Sequence, residues 1–187
     1  MRGGPDGNER LTAASGAVLF LLLAAEGVTI LSIGQLLSAH VFIGMLLIPP
    51  VALKLASTGW RFARYYRGTR EYREKGPPLL PLRLLAPVVV ASTVAVFATG
   101  VALLVLGPHS GRGLALGLHK LSFIVWVAVA GVHVLAYLPR LAFADWRPGA
   151  SAVSGAPARR LLIGGAVAAG AILAVTTVQY ASPWLHQ

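Results

Sequence analysis

The stretch Leu84–Leu106, LLAPVVVASTVAVFATGVALLVL, contains 23 residues and no charged side chain. A helix of that length extends about 35 Å, which exceeds the hydrocarbon core of a bilayer, about 30 Å thick. Four further stretches of 20 to 23 residues are also predominantly apolar, three of them with a single charged residue each: 11–33, 36–58, 116–138 and 161–180. Because lipid offers the backbone no hydrogen-bond partner, a spanning segment has to satisfy its own polar groups as a helix. The sequence therefore predicts an all-α fold, an integral membrane bundle of five transmembrane helices.

The composition excludes several classes of protein. Apolar residues make up 56% of the 187 residues and charged residues 12%, with a mean hydropathy of +0.72. Soluble domains carry about 25% charged residues, and disordered chains have little apolar surface to bury, so neither class fits. The absence of cysteine excludes disulfides, thiolate metal sites, iron–sulfur clusters and covalently attached c-type haem. Residues 1–10 are expected to form a flexible N-terminal tail and residues 181–187 a C-terminal tail.

The net charge of +10 arises from basic residues concentrated in two segments between the spans. These are Arg61, Arg64, Arg67, Arg70, Arg73, Lys75 and Arg83 between spans two and three, and Arg140, Arg147, Arg159 and Arg160 between spans four and five. Lys and Arg accumulate on the cytoplasmic side of membranes. We therefore expect a multi-pass protein of the cell membrane with a cytoplasmic N-terminus and an extracytoplasmic C-terminus, and no nucleic acid as a partner.

The segment Arg61–Arg73 combines periodic charge with aromatic residues. Arginine recurs every three residues from Arg61 to Arg70, interleaved with Trp60, Phe62, Tyr65 and Tyr66. One interpretation is a helix that continues past the membrane and anchors itself at the interface through aromatic rings and snorkelling arginines. The other is a docking site for anionic lipid or for an acidic partner.

Ionisable side chains are costly within lipid, so the few found in the spans are candidates for function. In span four, His119 and His133 are fourteen residues apart and leave the helix on nearly the same face. Span two repeats this spacing with His40 and Lys54. Gly44 lies one turn after His40, where the missing side chain would let a flat ligand approach closely.

Spans two and four run in the same direction in the predicted topology, from outside to inside. His40 and His119 then lie near the outer surface, and Lys54 and His133 lie deeper. Two levels of nitrogen ligands suit two b-type haems, because the iron takes axial ligands above and below the ring. Coordination also offsets the cost of burying a neutral imidazole. The prediction places haem b between helices two and four, with Trp126 packed between the two haems.

The segment HKLSFIVWVAVAGVH (His119–His133) resembles the paired-histidine helix of membrane b-type cytochromes, which include cytochrome b561-like proteins and the cytochrome b subunits of bacterial respiratory oxidoreductases. The segment SAHVFIGMLLIPPVALKLASTGWRF (Ser38–Phe62) is similar to the partner helix. The resemblance covers spans two to four. It implies a bundle that holds haem b and passes electrons between a quinone or soluble carrier and a redox partner. The family pattern has four histidines in two pairs, and here Lys54 stands where the fourth is expected.

The inner haem has three interpretations, which differ in the role of Lys54. Lys54 is an axial ligand as a neutral amine; or it pairs with a haem propionate or snorkels, leaving the iron on His133; or the inner haem is absent and His133 is a packed core residue. Pro49 and Pro50 predict a kink in span two. Glu26, in the middle of span one, could pair with Lys54, bind a quinone or relay protons.

The sequence thus predicts transmembrane electron transfer by a b-type cytochrome with two haems, or with one. It contains no nucleotide fingerprint such as GxGxxG, so an enzymatic substrate site would belong to another polypeptide of an oxidoreductase complex. Small residues in span five indicate a packing helix or a homodimer contact. A second class of function is a cofactor-free membrane transporter or scaffold whose buried His, Lys and Glu side chains form a proton relay.

Overall fold

A computed structural model describes residues 4–76, 80–108, 112–142 and 153–185. This part of the chain is all-α and contains no β-strand. Its helices are α1 (Gly4–Leu31), α2 (Ile33–Tyr66), α3 (Arg70–Glu74), α4 (Leu80–Leu106), α5 (Arg112–Ala142), α6 (Ala156–Thr177) and α7 (Ser182–Leu185), with a 3-10 turn at Val178–Ala181. Within these ranges five helical segments are long and apolar enough to cross a membrane, in α1, α2, α4, α5 and the run from α6 through α7. The predicted fold class and number of spans are confirmed.

The surface of these helices is apolar, as expected for segments in contact with lipid. Leu31, Val105 and Leu161 are 85%, 81% and 78% exposed, respectively. A soluble monomer rarely exposes large contiguous apolar patches. Exposing apolar side chains to water is unfavourable, but exposing them to lipid is not, because lipid tails are as apolar as the side chains themselves.

The chain divides into two compact units. The first unit comprises residues 1–76 and 153–187 and contains α1, α2, α3, α6 and α7. The second unit comprises residues 77–152 and contains α4 and α5.

In the first unit, α1 and α2 form an antiparallel hairpin, and the chain reverses between Leu31 and Leu36. The Ser32 carbonyl accepts hydrogen bonds from the backbone N–H groups of Gln35 and Leu36, each 2.9 Å long. Leu36 departs from helical angles, with φ −108° and ψ 18°. The kink predicted at Pro49 and Pro50 does not interrupt α2, which continues through both prolines.

The packing of α6 on α2 depends on Gly170. A Cβ atom at Gly170 would lie 2.2 Å from the Leu46 carbonyl oxygen, so only glycine permits this approach. In a regular helix that oxygen would accept a hydrogen bond from residue 50, but Pro50 has no N–H to donate. Pro50 therefore leaves the Leu46 carbonyl without its helical hydrogen-bond donor. The Cα of Gly170 packs against this carbonyl, which suits a Cα–H···O contact.

The N-terminal helix begins earlier than the sequence predicts. Residues 1–10 were expected to be a flexible tail, but α1 starts at Gly4. The physical reason is packing against α2: the Asn8 amide donates a 3.0 Å hydrogen bond to the Ser57 carbonyl oxygen. Leu11 is fully buried. Residues 1–3 lie outside the described part of the chain.

The end of α2 is closed by a glycine cap and followed by α3. Gly68 has φ +80°, its N–H donates to the Tyr65 carbonyl, and the N–H of Thr69 donates to the Arg64 carbonyl. These two bonds are the Schellman pattern, in which glycine adopts the left-handed conformation at low cost.

An ion cluster joins α1 to the end of α3. The Lys75 ammonium lies 2.6 Å from Asp6 Oδ1 and also contacts the Glu9 carboxylate. Burial alone would lower the pKa of Lys75, but the hydrogen bonds and charges of Asp6 and Glu9 outweigh it and raise this pKa above its ordinary value.

The predicted C-terminal tail is partly ordered. Residues 181–187 were expected to lie beyond the last span, but α7 covers Ser182–Leu185 and Ala181 is 1% exposed. Residues 186 and 187 lie outside the described part of the chain.

In the second unit, α4 and α5 form an antiparallel hairpin. Thr99 on α4 contacts His119 near the start of α5, and Thr93, earlier on α4, contacts Trp126, later on α5. One face of α5 is half-buried and carries His119, Phe123, Trp126, Ala130 and His133. Both histidines therefore lie on the face that α5 turns toward α4.

Candidate functional site

His40 is held by two polar groups of α1 within the first unit. Its Nδ1 lies 3.0 Å from Glu26 Oε1 and 3.0 Å from Thr29 Oγ1. The side chains of His40 and Glu26 are 21% and 13% exposed. The Thr29 hydroxyl donates to the Glu26 backbone carbonyl at 2.6 Å, so its oxygen is oriented to accept from the imidazole. The sequence marks Glu26 as an ionisable residue within a span but does not predict its contact with His40.

These contacts assign the tautomer of His40. A carboxylate oxygen is an acceptor, so the proton of the imidazole belongs on Nδ1. In the neutral ring the lone pair is then on Nε2, the nitrogen that can bind a metal. A metal-binding histidine almost always donates its other N–H to a carboxylate, a carbonyl or water. The Glu26–His40 contact matches that arrangement.

Gly44 lies beside the same carboxylate. A Cβ atom at Gly44 would sit 3.5 Å from Glu26 Oε1, which is an ordinary van der Waals distance. Alanine would therefore be tolerated on the side facing α1. The predicted role of Gly44, close approach to a flat ligand, stays a prediction.

His119 is held in the same manner within the second unit. Its Nδ1 lies 3.1 Å from the Val96 carbonyl oxygen and 3.1 Å from Thr99 Oγ1, both on α4. A carbonyl only accepts hydrogen bonds, so Nδ1 carries the proton and Nε2 the lone pair. Gly100 packs against the ring: a Cβ atom there would lie 3.2 Å from His119 Cε1.

Trp126 and His133 follow His119 on the half-buried face of α5. The indole Nε1 of Trp126 donates to Thr93 Oγ1 at 3.0 Å, and its ring stacks with Phe123, with 6.4 Å between centroids. Trp126 is thus anchored on α4 at its polar edge, and its predicted place between two haems stays a prediction. His133 is half-buried on the same face.

Lys54 extends toward α1. Its Nζ donates to the Thr12 carbonyl oxygen at 2.6 Å and occupies the space over Gly16, where a Cβ atom would lie 2.7 Å from Nζ. Ser57, one turn later, shares a 2.9 Å hydrogen bond with the Thr12 hydroxyl. The pairing of Lys54 with Glu26, one of the alternatives from the sequence, is wrong, because Glu26 contacts His40 instead.

The register of the α1–α2 hairpin explains these pairs. Glu26 and His40 each lie seven residues from Ile33, and Thr12 and Lys54 each lie twenty-one residues from it. Two helices joined by a tight turn bring equidistant residues together. The equal spacing can be read from the sequence, but it predicts the pairs only once the position of the turn, centred near Ile33, is known.

No three His, Asp or Glu side chains in the described ranges come together in a way that could hold a bare metal ion. A haem requires less of the protein, because the porphyrin supplies the in-plane nitrogens and the chain only axial ligands. His40 and His119 fit that role by the chemistry of their donor atoms. No known protein family, curated protein or solved structure matches this chain.

Proposed function

We propose that this chain is a membrane b-type cytochrome that binds haem b through His40 and His119. It carries electrons across the cell membrane between a quinone or redox-protein partner and the opposite side. When bound, haem supplies one-electron redox chemistry that no amino-acid side chain of this chain provides. The chain would act alone or as the membrane subunit of an oxidoreductase complex.

One observation carries the proposal. In each unit, the histidine predicted near the outer surface uses Nδ1 to donate to an acceptor on the preceding helix, a carboxylate for His40 and a carbonyl for His119. A threonine hydroxyl accompanies each contact. A packed histidine in a core also hydrogen-bonds its ring N–H. What supports iron binding is that both histidines donate through Nδ1, which leaves the lone pair on Nε2 and is the arrangement usual for a metal-binding imidazole.

The inner haem receives less support. His133 lies on the same face of α5 as His119, which suits a second ligand. Lys54 Nζ, however, is directed toward α1, where it donates to the Thr12 carbonyl oxygen. This contact favours the interpretations in which Lys54 is not an iron ligand, so we propose one well-prepared haem site and a second that relies on His133.

Haem content of the purified full-length protein tests the proposal. Expressed with ample haem, the protein is expected to show reduced b-type bands and at least one haem per chain by pyridine haemochrome assay. His40→Ala and His119→Ala should each remove one haem per chain, and His186→Ala serves as the matched control, with unchanged haem content. A colourless wild-type protein would contradict the proposal.

A cofactor-free proton relay is the second candidate, favoured by the contact between Glu26 and His40 inside a membrane span. It predicts proton transport by haem-free protein in liposomes, abolished by Glu26→Gln. Transport that survives complete removal of haem would support the relay over the cytochrome.

A further inference from the structure

Arg64, near the end of α2, is enclosed by aromatic rings. Its guanidinium carbon lies 5.6 Å from the centroid of the Trp60 ring and 5.9 Å from that of Tyr72. Tyr72 belongs to α3 and is 5% exposed, so the fold of α3 against α2 fixes this wall. Cation–π contacts of this kind hold a guanidinium in one orientation.

The guanidinium has hydrogen-bonding capacity that the chain does not use. Arg64 Nε is buried, and no acceptor within the described residues bonds to it. Because the chain itself shields Nε, an anion from outside would bind the terminal N–H groups of this half-buried side chain. The two terminal nitrogens of a guanidinium match the paired oxygens of a phosphate or carboxylate.

The charges around Arg64 favour an anion. Arg61 and Arg67 lie three residues away on either side, on neighbouring positions of the helix surface. The nearby carboxylates are already engaged: Glu74 pairs with Arg70 at 2.8 Å, and Asp6 and Glu9 contact Lys75. Glu71, the remaining carboxylate of α3, lies against Gly4 at the start of α1.

The depth of Arg64 selects the kind of anion. Arg64 follows the predicted end of span two, Thr58, by six residues, or about 9 Å along the helix. The headgroup layer on each side of the hydrocarbon core is roughly 5–7 Å thick. Trp60 lies between these two points, where aromatic residues mark the interface. The backbone of Arg64 is thus just past this layer, but its guanidinium packs on Trp60, which lies only two residues, or about 3 Å, past Thr58. A phosphate bound to that guanidinium would therefore be at headgroup level.

We infer that Arg64, walled by Trp60 and Tyr72 and flanked by Arg61 and Arg67, binds the phosphate of an anionic phospholipid. The site is independent of the haem proposal, because all of its residues lie at the end of α2 and in α3. Lipid is the occupant rather than an acidic protein because the guanidinium is within the headgroup layer and its walls are aromatic.

The test compares lipid binding by the full-length protein in a neutral detergent. Short-chain phosphatidylglycerol, short-chain phosphatidylcholine and inorganic phosphate are titrated separately, with the thermal unfolding midpoint and lipid retention by native mass spectrometry as readouts. We expect phosphatidylglycerol alone to raise the midpoint and remain bound. Arg64→Gln should weaken its apparent affinity about tenfold, whereas Arg70→Gln, the same charge change at a residue paired with Glu74, should change it less than twofold.

Arg64→Lys distinguishes the contribution of the planar guanidinium from that of the positive charge. It also provides a test if Arg64→Gln fails to fold. It keeps the positive charge but not the planar fork, so an affinity between those of wild type and Arg64→Gln is expected. Equal responses to the two lipids, equal losses in Arg64→Gln and Arg70→Gln, or saturation of the effect by inorganic phosphate would each overturn the inference.

Discussion

The acceptors that orient His40 and His119 differ in charge. His40 Nδ1 faces a carboxylate, Glu26, and His119 Nδ1 faces a backbone carbonyl, that of Val96. A carboxylate attracts the Nδ1 proton more strongly and makes Nε2 a better electron donor. For the proposed cytochrome, His40 is therefore the stronger donor of the two, and Glu26 is a positioning residue that acts through it.

Glu26→Gln tests that role, because it keeps an oxygen acceptor and nearly the same volume but removes the charge. We expect haem affinity to fall roughly tenfold and the midpoint potential to become more positive, since the iron loses electron donation. Haem titration of the apoprotein and a redox titration measure these changes. Glu71→Gln makes the same chemical change at an exposed site and should alter neither quantity; identical values for Glu26→Gln and wild type would refute the role.

The side-chain nitrogen of Lys54 gives a second prediction at this scale. Lys54→Leu removes the group that donates to Thr12 and introduces no atom that can bind iron. Because that group is engaged with α1, haem content and the spin state of the iron should match those of wild type. Loss of one haem per chain, measured by pyridine haemochrome assay, would instead identify Lys54 as an axial ligand.

At the residue scale, the sequence could single out candidates but not their partners. His40, His119 and Lys54 stand out because ionisable groups are costly in lipid. The contact of Glu26 with His40 depends on where the turn between α1 and α2 lies, and span boundaries predicted from hydropathy are too imprecise to fix that position. The acceptor for His119 is the backbone carbonyl of Val96. Every residue has such a carbonyl, so the sequence cannot show which one His119 contacts.

At the element scale, apolar length predicts where the helices lie but not where they end. All five spans were evident from runs of about 20 apolar residues. The early start of α1 was not predicted, because Gly7 is small and Asn8 is polar, and neither residue type indicates a buried helix. Their burial is explained by the contact with α2. The contact of α6 with α2 was not predicted either. It joins Gly170 to the Leu46 carbonyl, which Pro50 leaves without a hydrogen-bond donor, and these residues lie far apart in the sequence.

Gly170→Ala tests the contact between α6 and α2. The added methyl would lie 2.2 Å from the Leu46 carbonyl oxygen, a backbone atom that cannot move without shifting a helix. We expect destabilisation of about 1–3 kcal/mol, the usual cost of overpacking, measured as a lower thermal unfolding midpoint in detergent. Gly165→Ala is the matched control on the same helix, because nothing lies within 4 Å of its added Cβ. Equal midpoints for the two variants would contradict the close approach.

At the scale of the whole molecule, charge at the ends of the spans determines the expected orientation. Arg159 and Arg160 stand in the first turns of α6, whereas the sequence after α6 carries no Lys or Arg. Basic residues are retained on the cytoplasmic side, so α6 should run outward. The same orientation puts Arg64 at the cytoplasmic leaflet, which is rich in anionic lipid. The proposed lipid site and the expected orientation thus both depend on the basic residues at the same ends of the spans.

Cysteine labelling tests this orientation directly, because the chain has no cysteine and a single introduced thiol is unique. Ser154→Cys and Ser182→Cys form a matched pair: both serines are exposed, and they flank the helix α6. In intact cells a membrane-impermeant maleimide should label Ser182→Cys at once and Ser154→Cys only after permeabilisation. The reverse pattern would invert the topology. Labelling of both variants from the same side would show that α6 does not cross the membrane.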